Sequence, residues 1–258
     1  MPVKHLLRLV ALALALFAVA AHAEDLTADQ IAAKMIRGNG FTWEGARTKL
    51  RMTLVEANGA KTERSLEVLG RRKNGKLESK VEFLSPSEVA GTKFLSLEKD
   101  GGKTEQHIYL PGLKRTRRIV GREREGSFMG SDFTYADMTK KDASGDKHVK
   151  LPDDQIGKDS TYVVETTPAN AADAGYGKVQ VWVRKTDLVA LRTKFFDANG
   201  KLVKTLYVKG IRQVDGKPVV VEATMKSENG HQTDLVVDAL EQKNDLPDSE
   251  FSPASLER

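Results

Sequence analysis

"KLRMTLVEANGAKTERSLEVLGRRKNGKLESKVEF", residues 49–83, alternates with period two and turns twice. Leu50, Met52 and Leu54 alternate with Lys49, Arg51 and Thr53, and Val81 and Phe83 alternate with Lys80 and Glu82. Successive side chains of a strand point to opposite faces, so this spacing predicts strands with one apolar and one polar face. Leu66 and Val68, between the two turns, join the apolar face. The turns are Asn58-Gly59 and Asn74-Gly75, residue types that tolerate the positive φ of tight hairpins.

The same grammar runs outward from this stretch. Asp100-Gly101-Gly102, Asn199-Gly200, Asp215-Gly216 and Asn229-Gly230 supply further turns. Val179, Val181 and Val183, then Val219, Val221, Ala223 and Met225, then Leu235, Val237 and Ala239 repeat the alternation. Together they predict a meander of roughly ten antiparallel strands. Helices are few. Thr27 with Gln30 forms a capping box ahead of Ile31 to Met35, and Gly38-Asn39-Gly40 should end that helix. A shorter helix is expected from Ser131 or Asp132, carrying Phe133, Tyr135 and Met138, and residues 166–177 have the composition of a surface loop. So many strands with one apolar face either curve around an interior, with helices lying in the mouth, or pack as a filled sandwich; periodicity alone leaves both open.

Compartment narrows the possible functions. Lys4 and Arg8 precede the apolar run LVALALALFAVA, which is followed by Ala21-His22-Ala23, so residues 1–23 are expected to form a secretory leader cleaved before Glu24. The apolar run is shorter than the roughly 20 residues of a spanning helix. The leader holds two of the 41 basic residues and none of the 36 acidic ones, so its removal takes the net charge from +5 to +3. With no cysteine there is neither a disulfide nor a lipid-attachment thiol. The expectation is a soluble exported protein, residues 24–258 being one domain in the periplasm of a Gram-negative bacterium.

Chemical motifs are sparse. Beyond the leader, His107, His148 and His231 stand at no metal-ligand spacing, so neither a metal nor a cofactor is expected. Gly102-Lys103-Thr104 mimics the end of a phosphate loop, but Leu97 occupies the position of the required first glycine. Ser127 and Ser131 lack a G-x-S-x-G setting. A non-enzymatic role follows, with a periplasmic hydrolase of a lipid or glycan ester as the alternative.

One feature is unusual for a balanced chain. Lys114, Arg115, Arg117, Arg118, Arg122 and Arg124 crowd together immediately before the apolar, glycine-flanked Ser127 to Phe133. The leader removes nucleic acid as a partner. What remains is a solvated, charge-protected strand edge or a rim that meets an external anion.

These residues carry a resemblance. YLPGLKR (109–115), RRI (117–119), SFMGSDF (127–133) and DSEFSPASL (248–256) are similar to the bacterial outer-membrane lipoprotein-sorting family, in its LolA-like branch with the LPxLKRxRRI and SFMGSDF signature. The resemblance implies a mainly β, open and unclosed antiparallel barrel with an N-terminal helix and a short lid helix. It implies an apolar interior for acyl chains, here Leu50, Met52, Leu54, Leu66, Val68, Val81, Phe83, Phe128 and Met129. Lys114, Arg115, Arg117 and Arg118 would form a rim for a lipid head group or a docking partner. The implied partners are lipid or acylated lipoprotein cargo, an inner-membrane transporter of RND/MMPL or ABC type, and transient contact with a membrane surface. An accessory transporter subunit that binds no lipid is a further alternative.

Overall fold

The computed structural model describes residues 25–38, 45–139 and 145–258; the expected leader, Asn39 and Gly40 lie outside them. The first described element is the helix α1 (Ala28–Gly38). Its N-terminus is closed as the capping box requires: the Thr27 amide donates to Gln30 Oε1 at 2.9 Å and the Gln30 amide to Thr27 Oγ1 at 3.2 Å.

Six strands then follow in sequence: β1 (Gly45–Val55), β2 (Lys61–Lys73), β3 (Lys76–Ser85), β4 (Lys93–Glu98), β5 (Thr104–Leu110) and β6 (Arg115–Ile119). After a crossover come β7 (Lys147–Ile156), β8 (Asp159–Thr167), β9 (Lys178–Arg184), β10 (Ala190–Phe196), β11 (Leu202–Val214), β12 (Lys217–Ser227) and β13 (Gln232–Gln242). All are antiparallel to their neighbours in one sheet of thirteen, ordered β6-β5-β4-β3-β2-β1-β13-β12-β11-β10-β9-β8-β7. Each half of the chain is thus a meander, and pairing of β1 with β13 joins the halves at the centre, with Met52 opposite Leu235.

Every turn read from the sequence connects two successive strands. At Asn74-Gly75 both residues take positive φ, 51° and 77°, the type I′ geometry that matches the twist of the flanking strands. Among the described residues the count is thirteen rather than about ten because several strands do not alternate. β7, KHVKLPDDQI, is an edge strand with a bulge between Leu151 and Asp154, so much of it faces water.

Two further expectations need correction. The short helix is a 3-10 turn over Tyr135–Met138, capped by Thr134 and not by Ser131 or Asp132. Ser131 instead bonds back to the Phe128 carbonyl at 2.7 Å, while the Thr134 amide donates to Asp137 Oδ2 at 2.8 Å. Residues 166–177 are not all surface loop: β8 reaches Thr167, a helix α2 spans Ala171–Ala174, and Tyr176 is buried.

The two faces of the sheet are both covered, by different parts of the chain. On the concave face α1 packs Ile31 against Val164, Val181 and Val183. Val179, of the same parity on β9, also touches the main core beside it. On the convex face the C-terminal segment lays Leu246, Phe251 and Leu256 over Leu69, Leu95 and Leu97. Arg71 fastens that segment, pairing with Asp248 at 2.7 Å and donating to the Leu246 carbonyl at 2.7 Å, with its guanidinium 4.3 Å from the Phe251 ring centre. Beneath the same segment lies a charged cavity of about 350 Å³ lined by Arg47, Glu67, Lys80 and Glu250, among others.

Candidate functional site

The sheet order places consecutive strands β6 and β7 at opposite edges, and residues 120–139, which follow β6, run across the open side of the curved sheet. This crossover holds the SFMGSDF block. Within it a small hairpin forms: Ser127 bridges Thr134, the Phe128 amide donates to the Phe133 carbonyl at 2.7 Å, and the Ser131 amide to the Phe128 carbonyl at 3.0 Å. Met129 and Gly130 form its tip with φ of 54° and 79°. A β-turn with positive φ at both central residues turns tightly, and Gly130 accepts that conformation without a Cβ penalty.

The hairpin and the following 3-10 turn drop aromatic side chains onto the concave face. Phe128, only 1% exposed, lies 5.2 Å from Phe94, 5.5 Å from Tyr135 and 5.8 Å from Phe83 between ring centres. The first two contacts are edge-to-face, the arrangement that aromatic quadrupoles favour. Met52, Leu54, Leu66, Val81, Phe83 and Phe128 are buried in this one cluster, and Leu50, Val68 and Met129 pack partly buried against it. All the apolar positions expected at the interior therefore meet on one face, and the crossover, itself part of that set, occupies the space above the strands.

Polar anchors hold the crossover down. Lys204 of β11, its side chain 6% exposed, pairs with Asp137 at 2.6 Å and donates to the Asp132 carbonyl at 2.7 Å. The Tyr176 hydroxyl donates to Asp137 Oδ1 at 2.9 Å; burial, and then the Asp137 charge, push that hydroxyl far above its usual range, so it stays a donor. Asp132 accepts from Ser227 Oγ at 2.6 Å and Thr233 Oγ1 at 2.7 Å. On the other side Gln106 donates to the Tyr135 carbonyl at 2.6 Å, and Arg64 donates from Nη1 to the Met129 carbonyl. The hairpin is thus fixed from β2 and β5 on one flank and from β11 to β13 on the other.

The basic residues sit at the free edge. Lys114, Arg115, Arg117 and Arg118 are exposed on β6 and the turn before it. Pairing with β5 sets Arg117 opposite Ile108 and Arg118 opposite His107. Ile108 and Ile119 belong to the concave core, so Arg115 and Arg117 line its lip while Arg118 turns to the convex side, 3.7 Å from Glu105. Arg117 meets Glu123 at 2.8 Å, an exposed pair of the kind worth about 0–1 kcal/mol. Rim and interior adjoin at Ile119, where the strand passes from exposed to buried.

Sequence reasoning missed the anchors. Lys204 shares its parity on β11 with Leu206, a cation in an apolar register, which is a signal; its partner Asp137 is 67 residues away and carries none. Among the described residues no three His, Cys, Asp or Glu side chains gather as a metal site, and no helix is long and apolar enough to cross a membrane.

Solved structures share this architecture. A domain from Vibrio parahaemolyticus assigned as an outer membrane lipoprotein-sorting protein is 28% identical, with a TM-score of 0.81 over 88% of this chain and 97% of that one. A DUF1329 family protein from Desulfovibrio piger is 25% identical with a TM-score of 0.81 over 88% of this chain and 96% of that one. The LolA superfamily protein NE2245 from Nitrosomonas europaea, 19% identical with a TM-score of 0.70 over 88% and 98% of the two chains, shares the fold. No curated protein sequence matches the chain. Residues 75–258, most of the chain, match a family described as an uncharacterized protein. The chain belongs to that family, and it shares with these solved structures a LolA-like fold, an open antiparallel sheet that here has thirteen strands among the described residues.

Proposed function

We propose that this protein is a non-enzymatic periplasmic carrier that takes lipid or lipoprotein acyl chains onto its concave face when the crossover hairpin lifts. In this reading it moves them between an inner-membrane transporter, of RND/MMPL or ABC type, and the outer membrane, touching a membrane surface transiently at each end. The observation that carries the proposal is that the apolar face of an open sheet is covered, over the strands β1–β6, by a crossover segment held by polar anchors. The likeness to a domain assigned to lipoprotein sorting supports the choice of cargo.

Magnitudes fit a reversible exchange. Burying an acyl chain contributes about 0.8 kcal/mol per CH₂, so one long chain supplies on the order of 10 kcal/mol before ordering costs. Phe128, Phe133 and Tyr135 are buried by the crossover, and each such side chain contributes about 1.5–3 kcal/mol. An incoming chain and the departing rings are therefore of comparable worth. A carrier needs such a balance, because it must also release its cargo.

The absence of cysteine makes a direct test simple. The side chains of Asp132 and Ser227 meet at 2.6 Å, so the pair Asp132→Cys/Ser227→Cys places two thiols across the anchor. Oxidised, this variant should lose binding of a fluorescent fatty acid, and reductant should restore it. Equal uptake in both states would remove the lifting hairpin from the mechanism. The filled concave face favours a second reading, an accessory subunit that docks on a transporter and holds no lipid. Lipid-free protein by mass spectrometry, with a transporter pull-down intact, would establish that reading instead.

The rim is tested separately. Replacing Arg115, Arg117 and Arg118 together by Gln should change stability by no more than about 0.5 kcal/mol per site, as exposed positions do. Transporter capture should weaken, and wild-type capture should fall with salt, because exposed charges are screened over about 8 Å at physiological ionic strength. Capture unchanged by both mutation and salt would leave the cations as protection for an otherwise unpaired strand edge.

A further inference from the structure

One cation on the concave face has no counter-ion among the described residues. Arg64 stands opposite Met52 in the β1–β2 register and two residues from Leu66, so its side chain shares the face of the apolar core. Its guanidinium lies 5.9 Å from the Phe83 ring centre. From Nη1 it donates to the Met129 carbonyl at the hairpin tip, while Nε is buried without a hydrogen-bond partner. Among the described residues no carboxylate pairs with it. Asp132, further along the hairpin, is engaged by Ser227 and Thr233, and Asp137 by Lys204 and Tyr176.

This arrangement is costly for the resting protein. A half-buried guanidinium with a neutral acceptor and an idle buried donor loses hydration that one carbonyl replaces only in part. Burial accordingly lowers the Arg64 pKa below its ordinary value, though an arginine stays protonated. The contact with Met129 is also the one that breaks if the hairpin lifts. The guanidinium fork is then presented to the vacated face, with donors spaced for a carboxylate or phosphate.

We infer that Arg64 is an anion anchor inside the lipid site, selecting amphiphiles whose acyl chain ends in a carboxylate or phosphate over uncharged ones. The inference rests on the carrier reading and names its cargo chemistry: acyl chains on the apolar face, with the anionic head at Arg64 near the Met129–Gly130 tip. The rim arginines on β6 then serve approach or docking, and Arg64 serves selection.

The test compares a fluorophore-labelled palmitic acid with its methyl ester, which keeps the chain and removes the charge, on wild type, Arg64→Gln and Arg64→Lys. A charge-assisted hydrogen bond predicts that wild type prefers the acid by about 10–100-fold. Arg64→Gln should erase the preference while still binding the ester, and Arg64→Lys should retain part of it. Circular dichroism and a melting curve establish that each variant is folded. If Arg64 only latches the hairpin, Arg64→Gln will shift acid and ester equally and the preference will survive, which overturns the inference. Equal binding of acid and ester by wild type overturns it too, and leaves the carrier reading standing. Binding of neither ligand overturns both. Hexadecyl phosphate should displace the acid; displacement by inorganic phosphate at the same concentration would show a simple anion site and count against a lipid head.

Discussion

Phe128→Ala should destabilise the protein by about 3–5 kcal/mol, the range for removing a buried aromatic side chain and leaving a cavity. Phe128 is 1% exposed and its ring contacts Phe83, Phe94 and Tyr135, so no single neighbour can collapse into the space without leaving the other two. It also carries the hairpin: its amide and carbonyl hold Phe133 and Ser131 in the turn. The loss should therefore appear both as a lower urea midpoint and as faster amide exchange over the SFMGSDF block. On the carrier reading the variant should also bind a fluorescent fatty acid more readily, because the covering segment is held less firmly. A stability loss under about 1 kcal/mol would contradict the packing described for Phe128.

Asp137→Asn is the second large effect. It leaves the Lys204 ammonium in a site whose other neighbours are the Asp132 carbonyl and the rings of Tyr176 and Phe195, each centred 5.4 Å away. Breaking a buried ion pair by removing one partner costs about 3–5 kcal/mol, mostly from the charge left behind. Lys204→Met strands the Asp137 carboxylate instead, with the Thr134 amide and the Tyr176 hydroxyl still donating, and should fall near the lower end of that range. Combining the two substitutions should cost less than the sum of the singles, since neither charge is then unpaired. Additive losses in urea unfolding would show that the pair does not act as a unit. Because this pair joins the 3-10 turn to β11, the singles should also loosen the crossover while leaving the strand meanders paired.

The alternation of Leu50, Met52 and Leu54, the Asn-Gly and Asp-Gly pairs, and the Thr27–Gln30 box each determine local structure. Period, positive φ and capping act between residues a few positions apart. That is why the strands through residues 49–83, their turns and the start of α1 are legible in the sequence alone, and why the expected interior residues share one face. β7 is not legible there, because an edge strand with Pro152 and a bulge has no buried face along its whole length to impose alternation. Tertiary structure alone decided three things: that β1 pairs with β13, that β6 and β7 become the two free edges, and that the SFMGSDF hairpin fills the mouth between them. It also decided that Lys204 meets Asp137 and that, among the described residues, Arg64 meets no carboxylate. Those outcomes depend on contacts between residues far apart in the chain, where the gain comes from burying shared surface and pairing charge, and neither term is written in the spacing of neighbouring residues.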